Sequence, residues 1–232
     1  MLLFLRLILG GINMIRLLRR GLWLKGLFFW AVLSAPILSW AERQSEIEVA
    51  YKAQQYKRLL IGYALTQWTS DEAPISLLAA QIHQESRWNP TARSAFACGL
   101  SQFTPDTASW ISDKYKVNVG PGDCTNPAWS LRAQSAYMRY LQTQKIAEGR
   151  TACDNWRFTL WGYNGGPGWV KRDKEKARLA ARDWLSASVV SSFNAGRAEA
   201  FFKENRGYDV AILARWQRLY STWGVVQVCD FY

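Results

Sequence analysis

Along most of this chain, hydrophobic positions recur with the helical period rather than the strand period. From about 45 to 67 the apolar residues Ile47, Val49, Tyr51, Leu59, Leu60 and Tyr63 return at helical spacing among polar neighbours. Ser70-Asp71-Glu72-Ala73-Pro74 reads as a helix start, with acids placed for the first turn and proline close behind. The helix it opens covers 75–85 and stops before Asn89-Pro90, since a residue preceding proline is pushed out of the helical region. Residues 91–104, rich in Ala, Ser, Gly and Thr, predict an irregular, tightly packed segment. Thr104-Pro105-Asp106 opens a short helix to 111, and Gly120, Pro121, Gly122 and Asp123 make 117–126 a loop. An amphipathic helix follows over 127–147, with Leu131, Tyr137, Met138 and Leu141 leaning to one side. A short apolar helix over 155–162 ends in Tyr163-Asn164-Gly165-Gly166-Pro167-Gly168, and 169–184 is helical and heavily charged. The small residues of 186–196 suggest a loop. Asn205-Arg206-Gly207-Tyr208 then leads into a last helix over 210–223. Strand signals are few, so the expected fold class is mainly α.

The first 41 residues differ in kind. They carry Arg6, Arg16, Arg19, Arg20 and Lys25 and no acid, then an uncharged run from 26 to 40, then Ser39-Trp40-Ala41 with small residues at −3 and −1. This is the pattern of a secretory signal peptide cleaved after Ala41. The apolar run is shorter than the roughly 20 residues of a spanning helix. Leu22 to Leu24 extend it across Lys25, so a retained membrane anchor is the other outcome. Met14 also makes a plausible start for such a leader.

Composition narrows the classes further. A chain of 232 residues with 49% hydrophobic content has a real core and is not a disordered protein. Its thirteen tryptophans belong mostly to core packing, with a minority expected as platforms for sugar rings. Five of the eleven net positive charges lie in the leader, which leaves +6 on the rest. A moderately basic exported protein suits an anionic partner such as a cell wall or a membrane surface. The Lys and Arg residues are scattered and no nucleic-acid module is visible, so no nucleic-acid partner is expected. All four cysteines, Cys98, Cys124, Cys153 and Cys229, follow the leader, and an even count in an exported protein suggests disulfides. Three pairings are open; the one expected here joins Cys98 to Cys124 and Cys153 to Cys229. Their spacing fits no zinc pattern, and neither metal nor cofactor is expected.

Chemistry centres on Glu85, a lone carboxylate at the end of a mostly apolar helix. Burial disfavours the charged form and raises its pKa, as a general acid working near neutral pH requires. The plainer reading is a glutamate on the solvent side of a helix end. His83, the one histidine, lies two residues earlier, faces elsewhere on a helix, and reads as a surface or packing residue. Asp106 reads as an acid favoured by a helix N-terminus rather than as a second catalytic carboxylate.

Three segments carry a family resemblance: Glu85-Ser86 on a helix; Gly99-Leu100-Ser101-Gln102-Phe103-Thr104-Pro105, with Ser94 nine residues after the glutamate; and Tyr163-Asn164-Gly165-Gly166. In this order they resemble the soluble lytic transglycosylases of the lysozyme superfamily, whose pattern is E-S, then G-L-M-Q with a proline three residues on, then A-Y-N-A-G. The resemblance runs from about Pro74 to Gly168; the segment 205–208 and the last helix resemble, more loosely, phage or prophage members. It implies a lysozyme-like, mainly α (α+β) fold with a deep saccharide groove. The catalytic domain would span 42–178, with 179–232 a helical extension packed on it. It also implies a monomer acting on peptidoglycan glycan strands, exported to the periplasm or cell wall and touching membrane only through an uncleaved leader.

By the same resemblance, Glu85 protonates the oxygen linking N-acetylmuramic acid to N-acetylglucosamine, then takes the proton from the muramic C6 hydroxyl as it closes on C1. The product is a 1,6-anhydro sugar. One carboxyl suffices, unlike the two of most glycosidases, because the nucleophile is intramolecular. Ser94 would hydrogen-bond near the glutamate, and the Tyr163 hydroxyl would reach toward its carboxyl. Gln102 and Asn164 would offer amides to the N-acetyl groups or brace the groove, and Gly99, Gly165 and Gly166 would allow close approach and positive φ at the cleft wall. Ser86 and Leu100 are structural parts of the cleft. Residue by residue, Ser94 also reads as a turn cap, Tyr163 as core and Gln102 as a brace. Two departures stand out: Ser101 replaces a methionine, which would make one groove wall polar, and Gly162 and Gly165 replace alanines, which would loosen the backbone. The rival functions are a goose-type-lysozyme-like muramidase and a non-catalytic wall-binding component.

Overall fold

Glu85 sits on the last turn of a helix that other helices wrap on nearly every side. The computed structural model describes residues 42–229, so the expected leader, 1–41, lies outside the described residues. Residues 42–48 belong to one compact unit and are helical; a second unit begins at Val49 and holds the core. In it the chain passes through α1 (Lys57–Ala64), α2 (Ile75–Ser86), α3 (Pro105–Lys114), α4 (Pro127–Thr143), α5 (Ala152–Gly165), α6 (Pro167–Leu179) and α7 (Glu199–Val210). α7 continues directly into a π-helical turn, Ala211–Trp216, and a 3-10 stretch, Gln217–Trp223. Among the described residues there is no β-strand, only two isolated antiparallel bridges, Arg93 with Cys98 and Cys98 with Phe103. The fold is mainly α, as expected, without the small sheet an α+β arrangement would add.

The helix starts follow from local chemistry. Thr104 accepts the Thr107 N–H ahead of α3, and Asn126 accepts the N–H groups of Ala128 and Trp129 ahead of α4, each with proline next in the chain. A reciprocal capping box between Thr151 and Asp154 opens α5. α2 needs no such cap. Ten of its twelve residues are buried, and it packs against α1 on one side and the 211–223 segment on the other. His83 is buried there: its Nδ1 lies 2.7 Å from the Tyr220 hydroxyl, and its ring stacks on Trp216 at 4.6 Å. It is a packing residue. α2 ends on two successive left-handed residues, Arg87 (φ 50°) and Trp88 (φ 60°), each costing about 1–2 kcal/mol for a non-glycine side chain. Burial of Trp88 and its 2.7 Å indole bond to Tyr220 hold that turn in place.

Several expected boundaries move. Asp71 and Glu72 lie in a turn before α2, whose first turn holds no acid. α4 stops at Thr143, and Lys145–Ala147 is a separate 3-10 turn. The capping box starts α5 three residues early, and the helix runs on through Tyr163 and Asn164. Ala187–Val190 forms a short helix inside the expected loop. Asn205 to Tyr208 lie inside α7 rather than before the last helix. Gly207 is exposed there, where glycine costs a helix only about 1 kcal/mol.

Both expected disulfides are present, Cys98 with Cys124 and Cys153 with Cys229. The first explains Gly99. With φ +79° its missing side chain faces the Cys124 carbonyl oxygen, which a Cβ would meet at 1.7 Å. The second ties the segment after Trp223 to the start of α5.

Candidate active site

Two helices distant in sequence build the surroundings of Glu85. The Tyr208 hydroxyl, from α7, donates to Glu85 Oε1. Tyr208 in turn accepts from Gln81 Nε2 at 3.1 Å, and Gln81 Oε1 accepts from Gln134 Nε2 at 2.8 Å. Glu85 as a whole residue is half-buried. Its carboxyl is nevertheless pushed up from 4.5 to about 8. Burial is the main cause; the Tyr208 hydrogen bond pulls the other way, and the charge of Glu204 adds to the rise. At neutral pH Glu85 is therefore mostly protonated. Burial, and then the neighbouring Glu85, raise Tyr208 well above 10, so its phenol stays a donor.

The other expected site residues divide between cleft and scaffold. Tyr163 stands near enough for Glu85 to raise its pKa, yet its hydroxyl donates to the Ser101 carbonyl at 2.8 Å. The tyrosine on the carboxyl is Tyr208 instead. Ser101 does not line a polar groove wall. It is fully buried, its hydroxyl donating to the Ser130 carbonyl at 3.0 Å and accepting from the Ser130 hydroxyl at 3.2 Å. Gln102, at φ 47°, spends its amide on the carbonyls of Ala92 and Gly99, at 3.2 and 2.8 Å, and is a brace. Ser94 accepts the N–H groups of Phe96 and Ala97 within its own turn and makes no bond to Glu85. It lines an open hollow of about 520 Å³ between residues 93–98 and the start of α3, where Asp106 also sits. Ser86 is buried, bonding back to the Ile82 carbonyl at 3.3 Å, and Leu100 is core.

Asn164 belongs to a second cavity, of about 460 Å³, lined also by Gly165, Trp169, Gly196, Arg197, Phe201 and Glu204. Its carboxamide is oriented from behind. Arg206 donates to Asn205 Oδ1 at 2.6 Å, and Asn205 Nδ2 donates to Asn164 Oδ1 and to the Trp161 carbonyl, each at 2.9 Å. With Oδ1 engaged, Asn164 keeps its N–H donors for a ligand. Behind it, buried Asp173 pairs with both Arg197 and Arg206. Gly165 is helical, not a positive-φ turn. A Cβ there would come within 2.8 Å of Asn205 Nδ2 and 2.9 Å of Arg197 Nη1. Gly166 supplies the positive φ, +89°.

Sequence reasoning missed Tyr208, Glu204, Asn205 and Gln81. Glu204 and Tyr208 are four apart, hence on one helix face, as are Gln81 and Glu85. That signal was available once α7 is recognised as a helix. Among the described residues no group of three or more His, Cys, Asp or Glu is placed to hold a metal ion.

Comparison with known proteins bears on this arrangement. Membrane-bound lytic murein transglycosylase F of Maricaulis maris is 33% identical over 141 residues, 59% of this chain and 29% of that protein. The protein of the same name from Shewanella denitrificans is 32% identical over 109 residues, 47% of this chain and 20% of its own. The crystal structure of the 70 kDa soluble lytic transglycosylase of Escherichia coli superposes with a TM-score of 0.54 and 27% identity, over 72% of this chain and 24% of that one. The chain thus spans less than a third of each of these proteins. The model of the transglycosylase SLT domain matches residues 62–185, which include Glu85, the Gly99-to-Pro105 turn and the end of α5. With more than half of its length matched, this chain belongs to the transglycosylase SLT domain family.

Proposed function

We propose that this protein is a peptidoglycan lytic transglycosylase of the cell envelope, with Glu85 as its single acid and base. The observation that carries the reading is the state of that carboxyl: raised to about 8 and held at Oε1 by a phenol, on a residue that is only half-buried. A proton present at neutral pH passes to the glycosidic oxygen between N-acetylmuramic acid and N-acetylglucosamine as the C1–O bond breaks. The Tyr208 hydrogen bond steadies the carboxylate so formed. That carboxylate then takes the C6 hydroxyl proton while O6 bonds to C1, which closes the 1,6-anhydro ring and returns Glu85 to its acid form. No water is consumed. Asn164, with its donors free, suits a carbonyl acceptor such as an N-acetyl oxygen, and the ring of Trp169 suits a sugar face. The names of the relatives, which specify murein and membrane attachment, support the substrate and an envelope location. The leader expected over 1–41 provides the route to it.

One observation favours hydrolysis instead. Glu204 lies on the wall of the 460 Å³ cavity and its charge reaches Glu85. A second carboxylate is what an inverting glycosidase uses to activate water. Mass spectrometry of digested peptidoglycan separates the two. Anhydro-muramic ends are expected, and reducing-end muramic acid in their place refutes the transglycosylase. Glu85→Gln is expected to be inactive; unchanged lysis by that variant refutes the acid and leaves the non-catalytic wall-binding reading.

A further inference from the structure

A chain of buried amides leads to Glu85, and its hydrogen atoms can be assigned one by one. The Leu78 carbonyl can only accept, so the Gln134 atom 3.0 Å from it is the amide nitrogen. The same nitrogen lies 2.8 Å from Gln81, which therefore turns its oxygen toward Gln134 and its own nitrogen toward Tyr208. The Tyr208 oxygen accepts that N–H. Its one hydroxyl proton is left for Glu85 Oε1. Reversing any link sets two donors or two acceptors against each other. Gln81 and Gln134 are fully buried and Tyr208 nearly so, so an unmade bond there is not repaired by water.

We propose that Gln81 and Gln134 are positioning residues that make Tyr208 an obligate donor to Glu85 Oε1 and so bias the catalytic proton toward Oε2. In the acid form the carbonyl oxygen accepts better than the hydroxyl oxygen, so an Oε1 that always accepts favours the proton on Oε2. Oε2 makes no hydrogen bond to another described residue. The arrangement does not maximise stability, since Gln134 Oε1 is buried without a partner, and two apolar side chains would avoid that penalty. The other groups bearing on Glu85 are Glu204, on α7 with Tyr208, and Tyr163, on α5. Neither takes part in the amide chain.

The proposal rests on Glu85 being the acid, as read above, and its test separates the two claims. Gln81→Met removes the donor to Tyr208 and keeps a similar volume. The Tyr208 oxygen is then free to accept from a proton on Glu85 Oε1, where it is lost to the reaction. Turnover of purified glycan strands should fall about 10-fold in kcat with little change in KM, on the scale of one hydrogen bond lost. The basic limb of the pH profile should move up by about half a unit, because a less polarised phenol stabilises the carboxylate less. A merely structural role lowers the amount of folded enzyme without moving that limb. In a Tyr208→Phe background the same substitution should change nothing further. Should Gln81→Met fail to fold, Gln134→Met, which unlocks the same chain one link back, is read in the same way. An unmoved limb and kcat, or effects that add fully to those of Tyr208→Phe, overturn the relay while an inactive Glu85→Gln leaves the acid assignment intact. Lysis retained by Glu85→Gln overturns both.

Discussion

Replacing Glu85 by glutamine is expected to stabilise the folded protein in alkaline solution while removing its activity. The carboxyl ionises near 4.5 in an unfolded chain and near 8 in the folded one, so the folded state holds its proton more tightly. Below about pH 4.5 the group is protonated in both states and favours neither. As pH rises from there, the unfolded chain releases a proton that the folded chain keeps, and stability falls. The loss is complete once pH has passed through about 8. At 1.36 kcal/mol per pKa unit, a span of about 3.5 units sets an upper limit of about 5 kcal/mol, and solvent around a residue that is only half-buried brings the expected deficit to roughly 3 kcal/mol. Glutamine is neutral at every pH and its amide oxygen still accepts from Tyr208. Urea unfolding followed by tryptophan fluorescence, with both disulfides intact, measures the difference. At pH 4 the two proteins should have the same stability; by pH 9 the glutamine variant should lead by about 3 kcal/mol. A difference that stays constant from pH 4 to 9, or a variant weaker than the parent at pH 9, refutes the reasoning.

Asp173→Asn should cost about 3–5 kcal/mol in thermal unfolding, because it leaves Arg197 and Arg206 buried without their shared counter-charge; a loss under about 1 kcal/mol contradicts that. Gly99→Ala drives a Cβ into the Cys124 carbonyl at a backbone angle that disfavours it, and roughly 2–5 kcal/mol of destabilisation should appear in urea titrations. Cys153→Ser opens a loop spanning 76 residues of separation, and by chain entropy the non-reduced variant should lose about 4 kcal/mol. Equal melting temperatures for the variant and the parent would count against that closure.

What the sequence disclosed and what it hid follow a physical division. Glu85 stands out in the sequence because a lone acid in an apolar helix is rare, and it opens three family segments that follow in one order. The even cysteine count pointed to disulfides while leaving three pairings open, of which the structure forms the expected one, and the central burial of α2 follows from a helix apolar on almost all faces. The acid's actual partners were hidden by distance. Tyr208 lies 123 residues downstream, in a segment whose glycine disguised a helix interior as a boundary. Ser101 was misread for a related reason: its neighbour is Ser130, and replacing a methionine by a serine says nothing of which partner waits behind it. Gly165 looked like lost rigidity, yet its bareness reflects the approach of Asn205 and Arg197 from another helix and loop.

The 123 residues between Glu85 and Tyr208 also set an order of events. A chain is synthesised from its amino terminus, so α2 emerges long before α7. Until α7 arrives and the helices close, Glu85 is an ordinary solvated carboxyl, ionised at neutral pH and with no proton to give. If Glu85 is the acid proposed above, cutting competence is a product of completed folding: a chain that lacks α7 carries the glutamate without the partner that Tyr208 supplies.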